Sequence, residues 1–257
     1  DDMLPCFDNF FGSTSPLICI KGSVTVTVDG FTLAWEGWYY PESSYAGIGI
    51  SNIGESRENH DPFVEIANNT IILPYYFEFN NDGTVGIEAN SGYGPDDLAL
   101  NIHHNIIQGY DSALEFNQCD PISEECASGT FASIEVTSNN LYENRSGFTL
   151  SVGFPTSPEI HFNRIFSTIS DPKYGAIIPP LAEGVVVNAE YNWWGCNAGP
   201  LVNIPGGNEC VGLDVANSGI DFDPWLSLTL DPLPTMLIGQ GVSVAADLLH
   251  TETGEEP

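Results

Sequence analysis

Few side chains in this sequence come in types and spacings that could do chemistry. His103 and His104 are adjacent in "LALNIHHNII", Asp96 and Asp97 in "GYGPDDLA", and "ESRENHDP" gathers Glu55, Glu58, Asn59, His60 and Asp61. Paired carboxylates can divide acid and base roles in glycoside hydrolysis, and oxygen-rich loops can hold calcium. Alternation along a strand would send the two imidazoles to opposite faces, so they are not expected to act as joint ligands. Asp96 and Asp97 follow a Gly-Pro pair and read as a solvated turn. The acidic loop lacks the Asp-x-Asp-x-Asp-Gly spacing of a calcium loop. Glu58 and Asp61 are its candidate calcium ligands, against the competing reading of a charged loop, and no other cofactor is expected. Trp35, Trp38, Tyr39 and Tyr40 lie close together in "AWEGWYYPESSY". Exposed, they would stack on sugars; buried, they would fill a core. Asn68 and Asn144 head Asn-x-Ser/Thr acceptor patterns and are the candidate glycosylation sites.

Composition narrows the partners. The 257 residues carry 5 Lys plus Arg against 35 Asp plus Glu, a formal charge of -30. Nucleic acid and anionic lipid are excluded as partners, because neutralising phosphate takes clustered cations. Anionic polysaccharide would be repelled unless bound cations reversed the local field. The six cysteines fall as Cys6 with Cys19, Cys119 with Cys126, and Cys196 with Cys210. None has zinc-site spacing. Paired by proximity, one choice among the 15 connectivities that six cysteines allow, they would be three local disulfides of an oxidising compartment. Membrane insertion is not expected, since no apolar run reaches the roughly 18 residues of a span. The opening "DDMLPCFDNFFG" has no basic leader, so we expect the mature part of a secreted protein at the cell surface or beyond it.

The elements that must position these groups are short. β-branched runs such as "SVTVTVDGFTL", "PFVEIANNTIIL", "ALNIHHNIIQG", "ASIEVTSNNLY" and "EIHFNRIF" recur between Gly, Asn, Pro and Ser clusters, which predicts an all-β chain. An asparagine followed two residues later by a large apolar residue also recurs: Asn69, Asn105, Asn140, Asn163 and Asn192. Repeats too small to bury their own apolar faces point to a solenoid, here a parallel β-helix with a stacked asparagine ladder and loops of unequal length at one corner. Three segments follow: a cap at 1–22, the β-helix at 23–228 and a β segment at 229–257.

"VTVDGFTL", the repeated coils, and the ending "YNWWGCNAGP" followed by "DFDPWLSLTL" resemble secreted bacterial right-handed parallel β-helix proteins of the pectin-lyase-like type. The resemblance covers roughly residues 23–228. It implies that Trp193, Trp194 and Trp225 cap the last coil, with Cys196 and Cys210 pinning the cap. The tail "PLPTMLIGQGVSVAADLLHTETGEEP" resembles the first strands of an immunoglobulin-like module. Lyases and hydrolases of this fold need carboxylates and a base or a basic uronate grip on one face, and the five basic residues here are scattered. The expected function is therefore a non-catalytic extracellular module: a stalk, adhesin segment or filament subunit, glycosylated and joined head to tail to copies of itself or to further domains of a longer surface protein. The alternative is a carbohydrate-active or glycan-binding relative.

Overall fold

A computed structural model describes residues 16–22, 24–34, 46–51, 62–73, 83–91, 97–118, 129–168, 173–202, 210–215, 219–230 and 246–257. These residues are all β, without helices. In chain order the strands are β1 (Ile18–Lys21), β2 (Thr25–Asp29), β3 (Thr32–Ala34), β4 (Ala46–Ser51), β5 (Phe63–Ala67), β6 (Thr70–Ile72), β7 (Val85–Ser91) and β8 (Leu98–His103). They continue with β9 (Ile106–Gln108), β10 (Ser112–Gln118), β11 (Phe131–Thr137), β12 (Asn140–Tyr142), β13 (Ser146–Leu150), β14 (Glu159–His161) and β15 (Arg164–Phe166). The last are β16 (Tyr174–Ile178), β17 (Val186–Asn188), β18 (Leu201–Val202), β19 (Gly212–Val215), β20 (Gly219–Asp221), β21 (Leu226–Leu230) and β22 (Ala246–Thr251).

Three parallel sheets hold all but the last two strands. The eight-stranded sheet runs β1-β4-β7-β10-β13-β16-β19-β18, the seven-stranded sheet β2-β5-β8-β11-β14-β17-β20, and the five-stranded sheet β15-β12-β9-β6-β3. From β1 to β17 the chain visits the eight-, seven- and five-stranded sheets in rotation, one strand in each; β18 and β19 then both join the eight-stranded sheet and β20 the seven-stranded one. Each such circuit lays its strands beside those of the circuit before. This order is compatible with a parallel β-helix.

Inward side chains of consecutive circuits stack in columns. Ile48, Ile87, Leu114, Phe148, Ala176 and Leu213 follow one another across the eight-stranded sheet. Val28, Ile66, Ile102, Val136 and Ile160 do so across the seven-stranded sheet, and Leu33, Ile71, Ile107, Leu141 and Ile165 across the five-stranded one. All but Leu33 are buried and together they make one continuous core. A lone circuit could not bury these faces; its neighbours do it.

The corner between the seven- and five-stranded sheets is a two-residue turn in every circuit. Its first residue is left-handed: Gly30, Asn68, His104, Ser138, Phe162 and, in the last circuit, Tyr191, with φ between 56° and 75°. Its second residue is the exposed Phe31 after Gly30 and, from then on, the buried asparagine of the ladder: Asn69, Asn105, Asn139, Asn163 and Asn192. The Oδ1 of each accepts the backbone N–H of the rung before it, at 2.9 Å for Asn69 on Asn105, 2.9 Å for Asn105 on Asn139, 2.9 Å for Asn139 on Asn163 and 2.8 Å for Asn163 on Asn192. The side-chain amides bond in the same direction at 3.0–3.1 Å. Asn140, expected as a rung, is not one. The rung must follow the left-handed residue, here Ser138, so it falls on Asn139. Asn140 instead begins β12, with a buried Oδ1 that has no hydrogen-bond partner.

The tryptophans of "NWWG" do different work. Trp194 takes the place of the column isoleucine in the last circuit and is fully buried. A Cβ on Gly175 would lie 2.7 Å from its ring and 2.8 Å from Val211, so only glycine leaves room for the indole there. Trp193 points outward and bridges to Arg164. Trp225 packs on Gly199, whose missing Cβ would meet the indole at 2.8 Å, and donates through Nε1 to the Asn197 carbonyl at 3.2 Å. A disulfide joins Cys196 to Cys210 across this end of the stack. β21 and β22 then pair antiparallel, so the expected boundary at 228/229 falls inside β21, and β22 finds a partner in its own chain.

Candidate functional site

Among the strands of the three parallel sheets, the longer connections enter or leave the eight-stranded sheet, among them 35–45, 52–62, 73–84, 92–97, 119–130, 151–158, 167–173 and 179–185. That sheet is thus where the chain departs into most of its longer connections, the usual setting for a site on a rigid scaffold. One outward column reads Cys19, Gly49, Glu88, Glu115, Thr149, Ile177 and Asp214. Glu88 and Glu115 are therefore direct neighbours on adjacent strands, whose backbones lie about 4.8 Å apart. The next column reads Lys21, Ser51, Asn90 and Asn117. Asn90 Nδ2 donates to Glu88 Oε1 at 3.1 Å, and Asn117 Nδ2 to Glu115 Oε1 at 2.8 Å. Beyond the pair, Thr149 Oγ1 lies 3.3 Å from the hydroxyls of both Ser112 and Ser146.

Glu88 is 8% exposed, and burial is the main cause that pushes the Glu115 carboxyl above the ordinary carboxylate range. The Asn117 hydrogen bond pulls it back, and the charge of Asp111 adds a smaller upward push. Ser51, 1% exposed, has an Oγ without a hydrogen-bond partner on the same face. Two carboxylates in register, one of them pushed up by burial, are a pairing that acid–base chemistry on a glycosidic bond can use. Neither residue stood out in the sequence. The only signal is the shared Glu-x-Asn of "GIEAN" and "ALEFN", which acquires meaning once β7 and β10 are known to be in register.

The seven-stranded sheet presents a second polar face. Its outward column is Thr27, Glu65, Asn101, Glu135, Glu159, Asn188 and Asp221. His103 and His161 flank it: His103 Nε2 meets Glu65 Oε1 at 3.2 Å and His161 Nε2 meets Glu159 Oε2 at 2.8 Å. The expectation that His103 and His104 diverge is overturned. His104 is not in the strand but at the left-handed corner, with φ of 57°, and that turn brings its Nδ1 to 3.0 Å from Nδ1 of His103.

Other sequence-derived candidates separate. Asn144 is buried, its Nδ2 donates to the Ile107 carbonyl at 2.9 Å and its Oδ1 accepts from Tyr110 N–H at 3.0 Å. The nitrogen that would carry a glycan is thus committed to the fold, and we withdraw Asn144 as a glycosylation candidate. Asn68 is exposed, with Nδ2 on Asp29 at 2.8 Å. Asp97 accepts from Thr130 N–H and Oγ1 at 2.7 and 3.0 Å and does turn-closing work. Trp35, Trp38, Tyr39, Tyr40, Glu58, Asp61, Cys6, Cys119 and Cys126 lie outside the described residues. Cys19 is disulfide-bonded, like Cys196 and Cys210. Among the described residues no three His, Cys, Asp or Glu side chains converge as metal ligands, and no helix is long and apolar enough to cross a membrane. No protein-family model, curated protein or solved structure matches the chain.

Proposed function

We propose that the chain is a right-handed parallel β-helix of the pectin-lyase-like type and serves as a non-catalytic structural module of an extracellular or cell-surface protein. The unbroken asparagine ladder from Asn69 to Asn192 carries this reading. It ties successive circuits through buried hydrogen bonds that run from one circuit to the next, which suits a stiff stalk or adhesin segment. The Cys196–Cys210 disulfide fits an oxidising compartment. Partners would be copies of itself or further domains of the same surface protein, with a glycan at Asn68. Head-to-tail joining would involve the C-terminal segment, in which β22 pairs antiparallel with β21. Surface proteolysis of intact source cells, followed by peptide identification without reduction, tests the assignment. Release of linked Cys196 and Cys210 peptides supports it; recovery only from lysed cells, as free thiols, refutes it.

The Glu88–Glu115 pair favours a second reading, a carbohydrate-active protein working on the eight-stranded face. Hydrolysis or cleavage of any member of a panel of neutral polysaccharides, abolished in Glu88→Gln and in Glu115→Gln, would replace the first reading with this one.

A further inference from the structure

We propose that His103 and His104 form a two-nitrogen chelating site for a divalent late first-row metal ion, copper(II) above the others, with Glu65 as its positioning residue. The site rests on a sharp corner. The left-handed φ of His104 folds its ring back against that of His103, edge to face, with centroids 5.2 Å apart and planes at 89°. The two Nδ1 atoms are 3.0 Å apart. Nitrogens bound at about 2.0–2.1 Å to a common ion subtend about 91–97° across that gap, near the cis angle of square-planar and octahedral centres rather than the wider tetrahedral angle of zinc.

The tautomers agree with this geometry. Glu65 Oε1 accepts from His103 Nε2 at 3.2 Å, and Thr27 Oγ1 holds the other carboxylate oxygen at 3.1 Å. A carboxylate on Nε2 puts the proton there and leaves a lone pair on Nδ1, and a hydrogen bond of this kind behind a ligand imidazole fixes the tautomer and orients the ring. His104 is exposed, so its ring proton can sit on either nitrogen. Without metal, His104 Nδ1–H donates to His103 Nδ1. With metal, His104 carries its proton on Nε2 in contact with water, and the ion sits about 1.4 Å to one side of the line joining the two Nδ1 atoms, with a small turn of each ring aiming both lone pairs at it. Water completes the coordination sphere, because no third described side chain of a ligating type converges there. The strongly acidic surface, formal charge -30, raises the local cation concentration around the site.

The full-length protein is titrated with copper(II) chloride in the presence of glycine as competing chelator. Binding is followed by equilibrium dialysis, and the bound ion is examined by electron paramagnetic resonance. One tightly held ion per chain with superhyperfine coupling to two imidazole nitrogens is expected. His104→Asn keeps a residue type that tolerates the left-handed corner, and should lower affinity at least tenfold. His103→Gln should do the same, and Glu65→Gln should lower it about 10- to 100-fold with both nitrogens still coupled. His161→Ala should leave binding unchanged. Absence of a competitive site in the unaltered protein, a spectrum with oxygen ligands only, or full affinity in His104→Asn would each overturn the proposal; the last two would mean adventitious binding by surface carboxylates. The spectrum of the unaltered protein decides the matter even if a variant fails to fold.

Discussion

At the scale of single residues, the neighbouring side chains Glu88 and Glu115 set a pH dependence that can be signed in advance. The folded protein holds the Glu115 proton more tightly than the unfolded chain does, because burial disfavours its carboxylate. The folded state therefore binds more protons in the window between the ordinary carboxylate value and the raised one. Stability is fully expressed below that window and declines as pH rises through it. Glu115→Gln, which keeps the oxygen that Asn117 donates to, should remove the decline and unfold at a higher temperature than the parent near neutral pH. Melting curves from pH 4 to 8 check this, and an unchanged slope in the variant rules it out. The asparagines give a second contrast. Asn139→Ala removes hydrogen bonds to Ile102, Thr137 and Asn163 and strands the buried Asn105 N–H, a loss of about 3 kcal/mol or more. Asn140→Ala removes an amide whose oxygen has no partner and should change stability by about 0.5 kcal/mol at most. Chemical denaturation of the two variants side by side separates them. The recurring asparagine was legible in the sequence, yet the choice between Asn139 and Asn140 was not. It depends on which residue of "TSNN" turns left-handed, and serine carries little signal for that conformation.

At the scale of elements, the strands were legible because apolar residues alternate, and the stacking was legible because those patterns recur. What no single strand contains is register. Glu88 and Glu115 sit in different repeats, and only the pairing of β7 with β10 makes them neighbours. His103 and His104 show the converse: strand alternation was applied one residue too far, across the end of β8. The substitution of Trp194 for a column isoleucine was visible as an oddity of composition. The indole packs on Gly175 of β16 as Ile71, Ile107 and Ile165 pack on Gly47, Gly86 and Gly147. Trp194→Ala should cost about 3–5 kcal/mol, as other buried aromatic truncations do. Gly175→Ala should cost about 1–3 kcal/mol through overpacking. Both losses are read from denaturant midpoints, and a Gly175→Ala protein as stable as the parent would show that the indole has room to move.

At the scale of the molecule, the last circuit of the stack carries its own closure. The C-terminal end is closed by Trp194, by the Trp225–Gly199 contact and by the β21–β22 pair, and Cys196–Cys210 locks the turn between them. With a sequence separation of 14, that disulfide restricts the unfolded chain by about 3 kcal/mol on loop-closure arguments. Replacing both cysteines by serine should therefore lower stability by about 2–4 kcal/mol. Because circuits contact mainly their neighbours, the loss should appear first in this end of the stack. Hydrogen exchange should report faster opening of β17 to β20 than of β7 to β13 in that variant; uniform acceleration would mean that the whole molecule opens as one unit.

The two-residue corner has a consequence for how such a chain can change over generations. A residue inserted between β11 and β12 would break two rungs of amides at once, whereas the stretches 52–62 and 119–130 already differ in length from their counterparts in other circuits, and a register shift between Phe131 and Ser133 restores the column that runs through Val136. Heritable variation in length is thereby channelled to the margins of one sheet. New recognition loops can be gained or lost there while the shaft keeps its pitch, and a protein engineer wishing to graft a foreign loop should begin at the same margins.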